Sequence, residues 1–187
     1  MLTSRMFPLK PDIWRFSPTS LLAWSSAYAI WEPISYYLIP QIFKAQTTRQ
    51  YYDKNFFSFA TVAGGDFIYS TMLFLIAQQV ISVFFGSAGP ATVVDWLKRL
   101  ATFIAVQWAG DLTFWQIISR VPAKGNKYID FFQRYGKDVG VGAPIGDSLY
   151  GIVWFTLTQL TASFAPAWLQ VFLISTFLFL TLILSFN

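Results

Sequence analysis

Three aspartates inside long apolar stretches are the side chains of this 187-residue sequence best suited to chemistry. They are Asp66, Asp111 and Asp147, and each directly follows a glycine. A charged side chain at the centre of a membrane-spanning helix costs about 2.5–3.5 kcal/mol on insertion scales, so it usually faces the bundle interior or water. We therefore predict that the three carboxyls form one polar layer close to one membrane surface.

Tyrosine and glutamine side chains are predicted to complete this intramembrane polar layer. Tyr69 and Tyr150 each lie three residues after an aspartate, on the same helix face, and Gln78 and Gln159 follow nine residues later. Two interpretations are open at this stage. The layer could hold a cation or a proton, or its hydrogen bonds could simply fix the register of neighbouring helices.

The composition excludes most catalytic chemistry. The chain has no Cys and no His, which removes thiolate nucleophiles, imidazole acids and bases, and the usual ligands of zinc or haem. Its serines and threonines lack a partner that would make them hydrolytic. We expect no enzyme activity, no metal and no cofactor.

The hydrophobic content predicts an all-α polytopic membrane protein. Hydrophobic residues make up 55% and charged residues 12% of the chain, whereas soluble domains carry roughly 25% charged residues. A helix needs roughly 20 mostly apolar residues to cross a bilayer. Four stretches have that length: about Phe57 to Phe85, Leu100 to Ser119, Ile145 to Phe164, and Trp168 to Phe186.

The distribution of Lys and Arg predicts the topology of these four spans. Eleven basic residues lie before the first span or between spans two and three, whereas the other side has only Lys98 and Arg99. Cytoplasmic loops carry the excess of Lys and Arg. Both termini are therefore predicted on the cytoplasmic-equivalent side.

Residues 19–43 are apolar enough to raise the alternative of a fifth span. A fifth crossing would move three basic residues to the other side and reduce the charge split to eight against five. We therefore predict an amphipathic helix that lies in the membrane interface and ends at Glu32-Pro33, although a packed or re-entrant helix is the alternative. This divides the chain into an N-terminal arm, 1–56, and a transmembrane domain, 57–187.

A short internal repeat is present. Gly65-Asp66-Phe67-Ile68-Tyr69 matches Gly146-Asp147-Ser148-Leu149-Tyr150, and Phe and Gln recur at the same later positions. A duplicated two-helix hairpin with both copies in the same direction would explain the match. Chance similarity within an apolar alphabet is the other explanation.

The loop between spans two and three, residues 120–144, is basic and aromatic. Its Lys124, Lys127, Arg134 and Lys137 are predicted to contact anionic lipid headgroups or a protein partner. Nucleic acid is a less suitable partner, because the loop is tethered to the membrane at both ends. Near the N-terminus, Trp14, Trp24 and Trp31 are predicted to make similar interfacial contacts.

With these Gly-Asp-x-x-Tyr spans and the basic aromatic loop, the chain resembles small multi-span membrane proteins of large double-stranded DNA viruses. Residues 64–78 and 145–159 carry most of that resemblance. It implies a structural, minor capsid-associated component of the virion's internal membrane, acquired from host endomembrane, whose charged face meets capsid or scaffold proteins. The alternative function is a small cation or proton channel or transporter, which with four spans would have to form a homo-oligomer.

Overall fold

The computed structural model describes residues 13–86 and 88–185, and this part of the chain is all-α as predicted. It contains seven helices and no strand. They are α1 (Pro18–Ile42), α2 (Gln46–Tyr51), α3 (Phe59–Phe85), α4 (Val93–Ile118), α5 (Lys127–Val139), α6 (Gly142–Phe164) and α7 (Ala167–Ser185).

The four predicted spans correspond to α3, α4, α6 and α7. Among the described helices, α3 and α7 are long and apolar enough to cross a membrane by length and composition. α4 is long enough, but it carries four charged residues: Asp95, Lys98, Arg99 and Asp111. The structure thus supports a membrane protein with two candidate spans.

Five long helices form a closed ring in the order α1, α6, α4, α3, α7 and back to α1. Large aromatic side chains fill the centre of this ring. Trp24 of α1 stacks between Phe74 of α3 and Trp154 of α6, with ring centroids 4.1 and 3.9 Å apart. Phe103 of α4 and Phe177 of α7 complete the central cluster. Each well-placed aromatic pair adds about 0.5–1.5 kcal/mol beyond its buried area, so this cluster joins all five helices.

α1 does not end at Glu32-Pro33, as the sequence predicted. It continues through Glu32-Pro33 and Pro40 to Ile42 and packs against α6 and α7. A proline inside a helix costs about 3 kcal/mol, because it removes one backbone hydrogen bond and crowds the preceding turn. Burial of α1 along its length outweighs that cost.

The direction of α1 separates its start from the basic loop. Gln78 near the end of α3 donates to the Ile13 carbonyl at 2.7 Å, whereas Tyr28 donates to the Ala63 carbonyl near the start of α3. α1 is therefore antiparallel to α3. The chain at Ile13 and the basic loop 120–144 lie at opposite ends of the bundle, whereas the prediction places the N-terminal arm and this loop on one side of the membrane.

The two ends of the bundle are named here by their contents. The basic end holds the C-terminus of α1, the N-termini of α3 and α6, and the helices α2 and α5. The far end holds the N-terminus of α1, the turn between α3 and α4, and the connection between α6 and α7. We call residues 43–58 and 119–141, which surround α2 and α5, the basic cap.

The predicted duplicated hairpin is only partly reproduced in space. α3 and α6, which carry the two Gly-Asp-x-x-Tyr motifs, both run from the basic end to the far end. α4 packs along α3, but α7 packs against α1 and α3 rather than alongside α6. The Ala165-Pro166 connection and α1 separate the second pair, so the two units have the same direction and different packing.

Candidate functional site

Four carboxyls lie near one another inside the basic end of the bundle. Asp147 interacts electrostatically with Asp66 and Asp111, and Asp66 interacts in turn with Glu32 of α1. Three of these are the aspartates singled out in the sequence. Glu32 is the fourth, and its side chain is completely buried.

Three of the four carboxyls accept a hydrogen bond from a tyrosine on a different helix. Tyr150 of α6 donates to Glu32 Oε2 at 2.6 Å, and Ser35 donates to the same oxygen at 3.2 Å. Tyr51 of α2 donates to Asp66 Oδ1 at 2.7 Å, and Tyr69 of α3 donates to Asp111 Oδ1 at 2.8 Å. These bonds join α6 to α1, α2 to α3, and α3 to α4.

The partners within this carboxyl–tyrosine cluster differ from those expected within each helix. Tyr69 and Tyr150 were predicted to share a helix face with the aspartate three residues earlier. Both hydroxyls instead reach an acid on the neighbouring helix, because the antiparallel packing places those acids opposite the tyrosines. The cluster consequently joins separate helices rather than stabilising single turns.

The two predicted glutamines do not belong to this cluster. Gln78 lies at the far end, where it donates to the carbonyl of Ile13. Gln159 is one turn from Ser163 and donates to that hydroxyl at 3.4 Å. A different glutamine, Gln107 of α4, contacts the cluster through a 2.8 Å hydrogen bond to the Asp147 carbonyl.

The three glycines that precede the aspartates differ in how closely a neighbouring helix approaches them. A Cβ at Gly110 would lie 2.5 Å from Leu73 and 3.2 Å from the Tyr69 hydroxyl, so this glycine allows α3 and α4 to approach. A Cβ at Gly65 would meet nothing within 4 Å, and one at Gly146 would make only ordinary contact with Phe43. Close helix approach thus explains one of the three Gly-Asp pairs.

Glu32 was missed because Glu32-Pro33 resembles a helix terminator. The sequence does contain a signal for its burial. Ser20, Trp24, Tyr28, Glu32 and Tyr36 recur every four residues, and all five side chains are buried. A continuous face of this kind is typical of a helix that packs along its whole length.

The electrostatic partners of the four carboxyls in the described chain are other acids and the hydroxyls of tyrosines and Ser35. None of these partners is a lysine or an arginine. Two buried oxygens, Glu32 Oε1 and Asp111 Oδ2, have no hydrogen-bond donor. The cluster therefore has acceptor capacity that the protein itself does not use.

The basic cap closes the cluster from outside. α5 is strongly amphipathic, and its Phe131 is completely buried against Tyr51 and Phe57. Tyr135 lies close enough to interact electrostatically with Asp147, and burial raises the pKa of both Tyr51 and Tyr135. These two tyrosines place hydroxyl groups between the carboxyls and the cap surface.

Asp138 links the two helices of the cap. Its Oδ2 accepts hydrogen bonds from the Thr47 hydroxyl at 2.7 Å and the Thr47 amide at 3.1 Å, and these bonds lower the pKa of Asp138. Arg134 donates to Gln50 at 3.1 Å across the same junction. Gly136 lets the Trp115 ring pack directly against α5, because a Cβ there would lie 2.1 Å from a ring carbon. These contacts hold α5 against both α2 and α4.

The predicted lipid or partner contacts divide into two groups. Lys124, Lys127, Arg134 and Lys137 are all exposed on the basic cap, where Lys127 also lies 4.2 Å from the Phe56 ring. Trp14 and Trp24 are 0% exposed, so their predicted contact with lipid is wrong. Trp31 is half-buried, with its ring 5.8 Å from that of Tyr150.

Replacing Tyr150 by Phe should destabilise the bundle by about 1–3 kcal/mol, because it removes a donor from a buried carboxyl. Thermal unfolding of the purified protein in detergent measures the effect. Tyr37→Phe is the matched control, since the Tyr37 side chain is 62% exposed and should tolerate the change. Equal midpoints for the two variants would contradict a stabilising Tyr150–Glu32 bond.

A comparison of the chain with protein-family models, curated proteins and solved structures finds no match. In the described part of the chain, the candidate site is a tyrosine-bonded carboxyl cluster beneath a basic, amphipathic cap.

Proposed function

We propose that this chain is an integral membrane structural protein that presents its basic cap to an acidic partner surface. The observation that carries the proposal is the combination of an apolar exterior, a filled aromatic interior and a cationic end. The resemblance to viral multi-span proteins is consistent with a place in a virion's internal membrane or in host endomembrane, beneath a capsid or scaffold.

The exterior of the ring supports a lipid environment. Large apolar side chains remain exposed along α7, including Phe172, Phe179 and Leu182 at 59–63% exposure. The outer face of α3 is similar, with Ile68 at 65% and Val83 at 80%. Soluble monomers rarely expose continuous apolar patches of more than a few hundred Å², whereas lipid contact stabilises such surfaces.

We infer that all five long helices cross the bilayer, rather than the four predicted from the sequence. α1 lies antiparallel to α3, and its ends reach the same two levels. A bilayer that encloses α3 therefore encloses α1. The Lys and Arg count then becomes eight at the basic end and five at the far end, which still favours a cytoplasmic-equivalent location for the basic end.

The filled interior supports a structural role. Trp24, Phe74, Trp154 and Phe103 occupy the axis of the ring, where a channel would need a continuous polar path. The basic cap adds a partner surface, because it carries eight basic residues against three acidic ones. Such a surface attracts anionic headgroups or acidic proteins through charge that salt screens.

Single cysteines at Phe16, Ala91 and Lys124 should report the topology, since the native chain has no cysteine and all three positions are exposed. With five crossings, a membrane-impermeant thiol reagent labels positions 16 and 91 from one side and position 124 from the other. Labelling of positions 16 and 124 from the same side would contradict the fifth crossing.

Neutral-lipid vesicles that carry the protein with its cap outward should bind vesicles containing phosphatidylserine or beads coated with polyglutamate. Changing Lys124, Lys127, Arg134 and Lys137 together to Gln should reduce binding at least tenfold, because it removes half of the cap's basic residues. Lys98→Gln at the far end is the control. Binding that survives the fourfold change, or that ignores added salt, would contradict a role for the cap charge.

A proton or cation transporter is the second candidate function. It is favoured by the buried Glu32 and the half-buried aspartates, whose described partners include no base, and by the donor-free oxygens of Glu32 and Asp111. Interior acids in membrane helices often mark ion pathways. The two candidates make opposite predictions about ion flux.

Changing Asp66, Asp111 and Asp147 together to Asn distinguishes the structural role from transport. Asn keeps a hydrogen-bonding oxygen but cannot exchange a proton, so a structural protein should stay folded and show no flux before or after the change. Flux across protein-containing vesicles, measured with a pH-sensitive dye, tests this. Flux in the native protein that disappears in the triple variant would replace the structural proposal with transport.

A further inference from the structure

An open groove with a volume of about 360 Å³ lies on the basic cap, between α2 and α5. It is lined by Gln46, Thr47, Gln50, Arg134, Lys137 and Asp138. All six of these described lining residues are polar or charged, whereas Tyr51 and Phe131 stack on the inner side of the same two helices. The groove is therefore a polar site on the outer side of the cap.

Arg134 is held in this groove before any ligand binds. Its Nε donates to Asp130 Oδ2 at 3.2 Å, and its Nη1 donates to Gln50 Oε1 at 3.1 Å. These bonds use two of the five N–H groups of a guanidinium, so hydrogens remain on both Nη atoms. Two parallel N–H groups of this kind bind the two oxygens of a carboxylate side by side. Because a side chain that is already positioned loses little conformational freedom on binding, Arg134 is suited to hold an anion.

Lys137 adds a second cation to the same groove. It follows Arg134 by three residues on α5, so the two side chains lie on the same helix face. Within the described part of the chain, its ammonium makes no hydrogen bond or ion pair. Gln50 supplies a neutral donor, because its Oε1 accepts from Arg134 and its amide nitrogen is left for a ligand.

Asp138 determines which kind of anion suits the groove. Thr47 donates to its Oδ2 from the hydroxyl at 2.7 Å and from the amide at 3.1 Å, and these bonds lower the pKa of Asp138. The two cations of the groove therefore share it with one fixed negative charge. A carboxylate, with a single negative charge, matches the positive charge that remains. A phosphate dianion would bring two negative charges beside Asp138 and is disfavoured.

The polar lining of the groove favours a protein over a lipid as the source of this carboxylate. None of the described residues that line the groove is apolar. Acyl chains attached to a bound headgroup would therefore have no apolar surface beside them. An acidic protein segment approaches the cap from water and needs no such surface.

We propose that the groove between α2 and α5 binds an acidic segment of a partner protein, with one aspartate or glutamate carboxylate of that segment on Arg134 and Lys137. The carboxylate accepts hydrogen bonds from the guanidinium and the ammonium, and the Gln50 amide nitrogen donates to the same segment. This inference rests on the proposed function, because it names the part of the basic cap that recognises an acidic partner. It adds that the position of the cap's charges, and not only their number, decides binding.

Binding of a fluorescein-labelled polyglutamate peptide to the purified full-length protein in detergent tests the proposal. Changing Arg134 and Lys137 together to Gln should weaken binding roughly tenfold, because it removes the guanidinium donors as well as both cations of the groove. The matched control changes Lys54 and Lys124 together to Gln, which removes the same charge from exposed positions of the cap outside the groove. The control should weaken binding by no more than about twofold, because salt screens charges that do not contact the peptide. Equal weakening by the two pairs would overturn the proposal.

Two single variants separate recognition from folding and from net charge. Lys137→Gln should weaken binding about threefold, as expected for one exposed ion pair. It should leave the midpoint of thermal unfolding unchanged, because Lys137 has no described partner to lose. Arg134→Lys keeps the charge but loses the two parallel donors, so it should also weaken binding about threefold. Binding as strong as that of the native protein, by either variant, would contradict the proposal.

A soluble short-chain phosphatidylserine, added as a competitor, tests a lipid as the occupant. Displacement of the peptide by less of this lipid than of unlabelled polyglutamate would assign the groove to a headgroup and overturn the protein partner. Weaker displacement by the lipid supports the protein partner.

The fourfold Gln variant of the cap keeps this inference separate from the proposed function. If that variant loses binding while the groove pair and the control pair lose equal amounts, only the groove proposal fails. Unchanged binding by the fourfold variant refutes both proposals.

Discussion

The packing of α1 against four other helices is the constraint on which the rest of the structure depends. Trp24 lies between Phe74 and Trp154, and the Trp154 indole donates to the Trp24 carbonyl at 2.9 Å. These contacts fix the height of α1 against α3 and α6. That height in turn brings Glu32 to Tyr150 at one end and the first turn of α1 to Gln170 at the other. The position of α1 thus determines the contacts at both ends of the bundle.

Local patterns in the sequence were sufficient for the long helices. The hydrophobic runs anticipated α3, α4, α6 and α7 to within a few residues, except that α4 begins seven residues earlier, at Val93. Thr92 explains that start, since its hydroxyl accepts from the Asp95 amide and caps the helix before the apolar run begins. Apolar content therefore marks the central part of a helix, while capping residues mark where the helix itself begins.

The local sequence did not predict the full length of α1. Glu32-Pro33 has the local properties of a terminator, and charge counting preferred a topology without a fifth crossing. Neither argument includes tertiary packing, whereas α1 packs against other helices along its length. The same limit explains the tyrosine pairs. Spacing within a helix suggested Asp147 as a neighbour of Tyr150, and only the register between helices reveals Glu32 as the acceptor.

The two ends of the bundle differ chemically. At the basic end, tyrosines and an amphipathic cap separate four acids from a cationic surface. At the far end, Gln78, Arg99 and Gln170 each donate a side-chain hydrogen bond to a backbone carbonyl. Acids and hydroxyl donors thus hold the helices together at one end, whereas side-chain donors to backbone carbonyls hold them at the other.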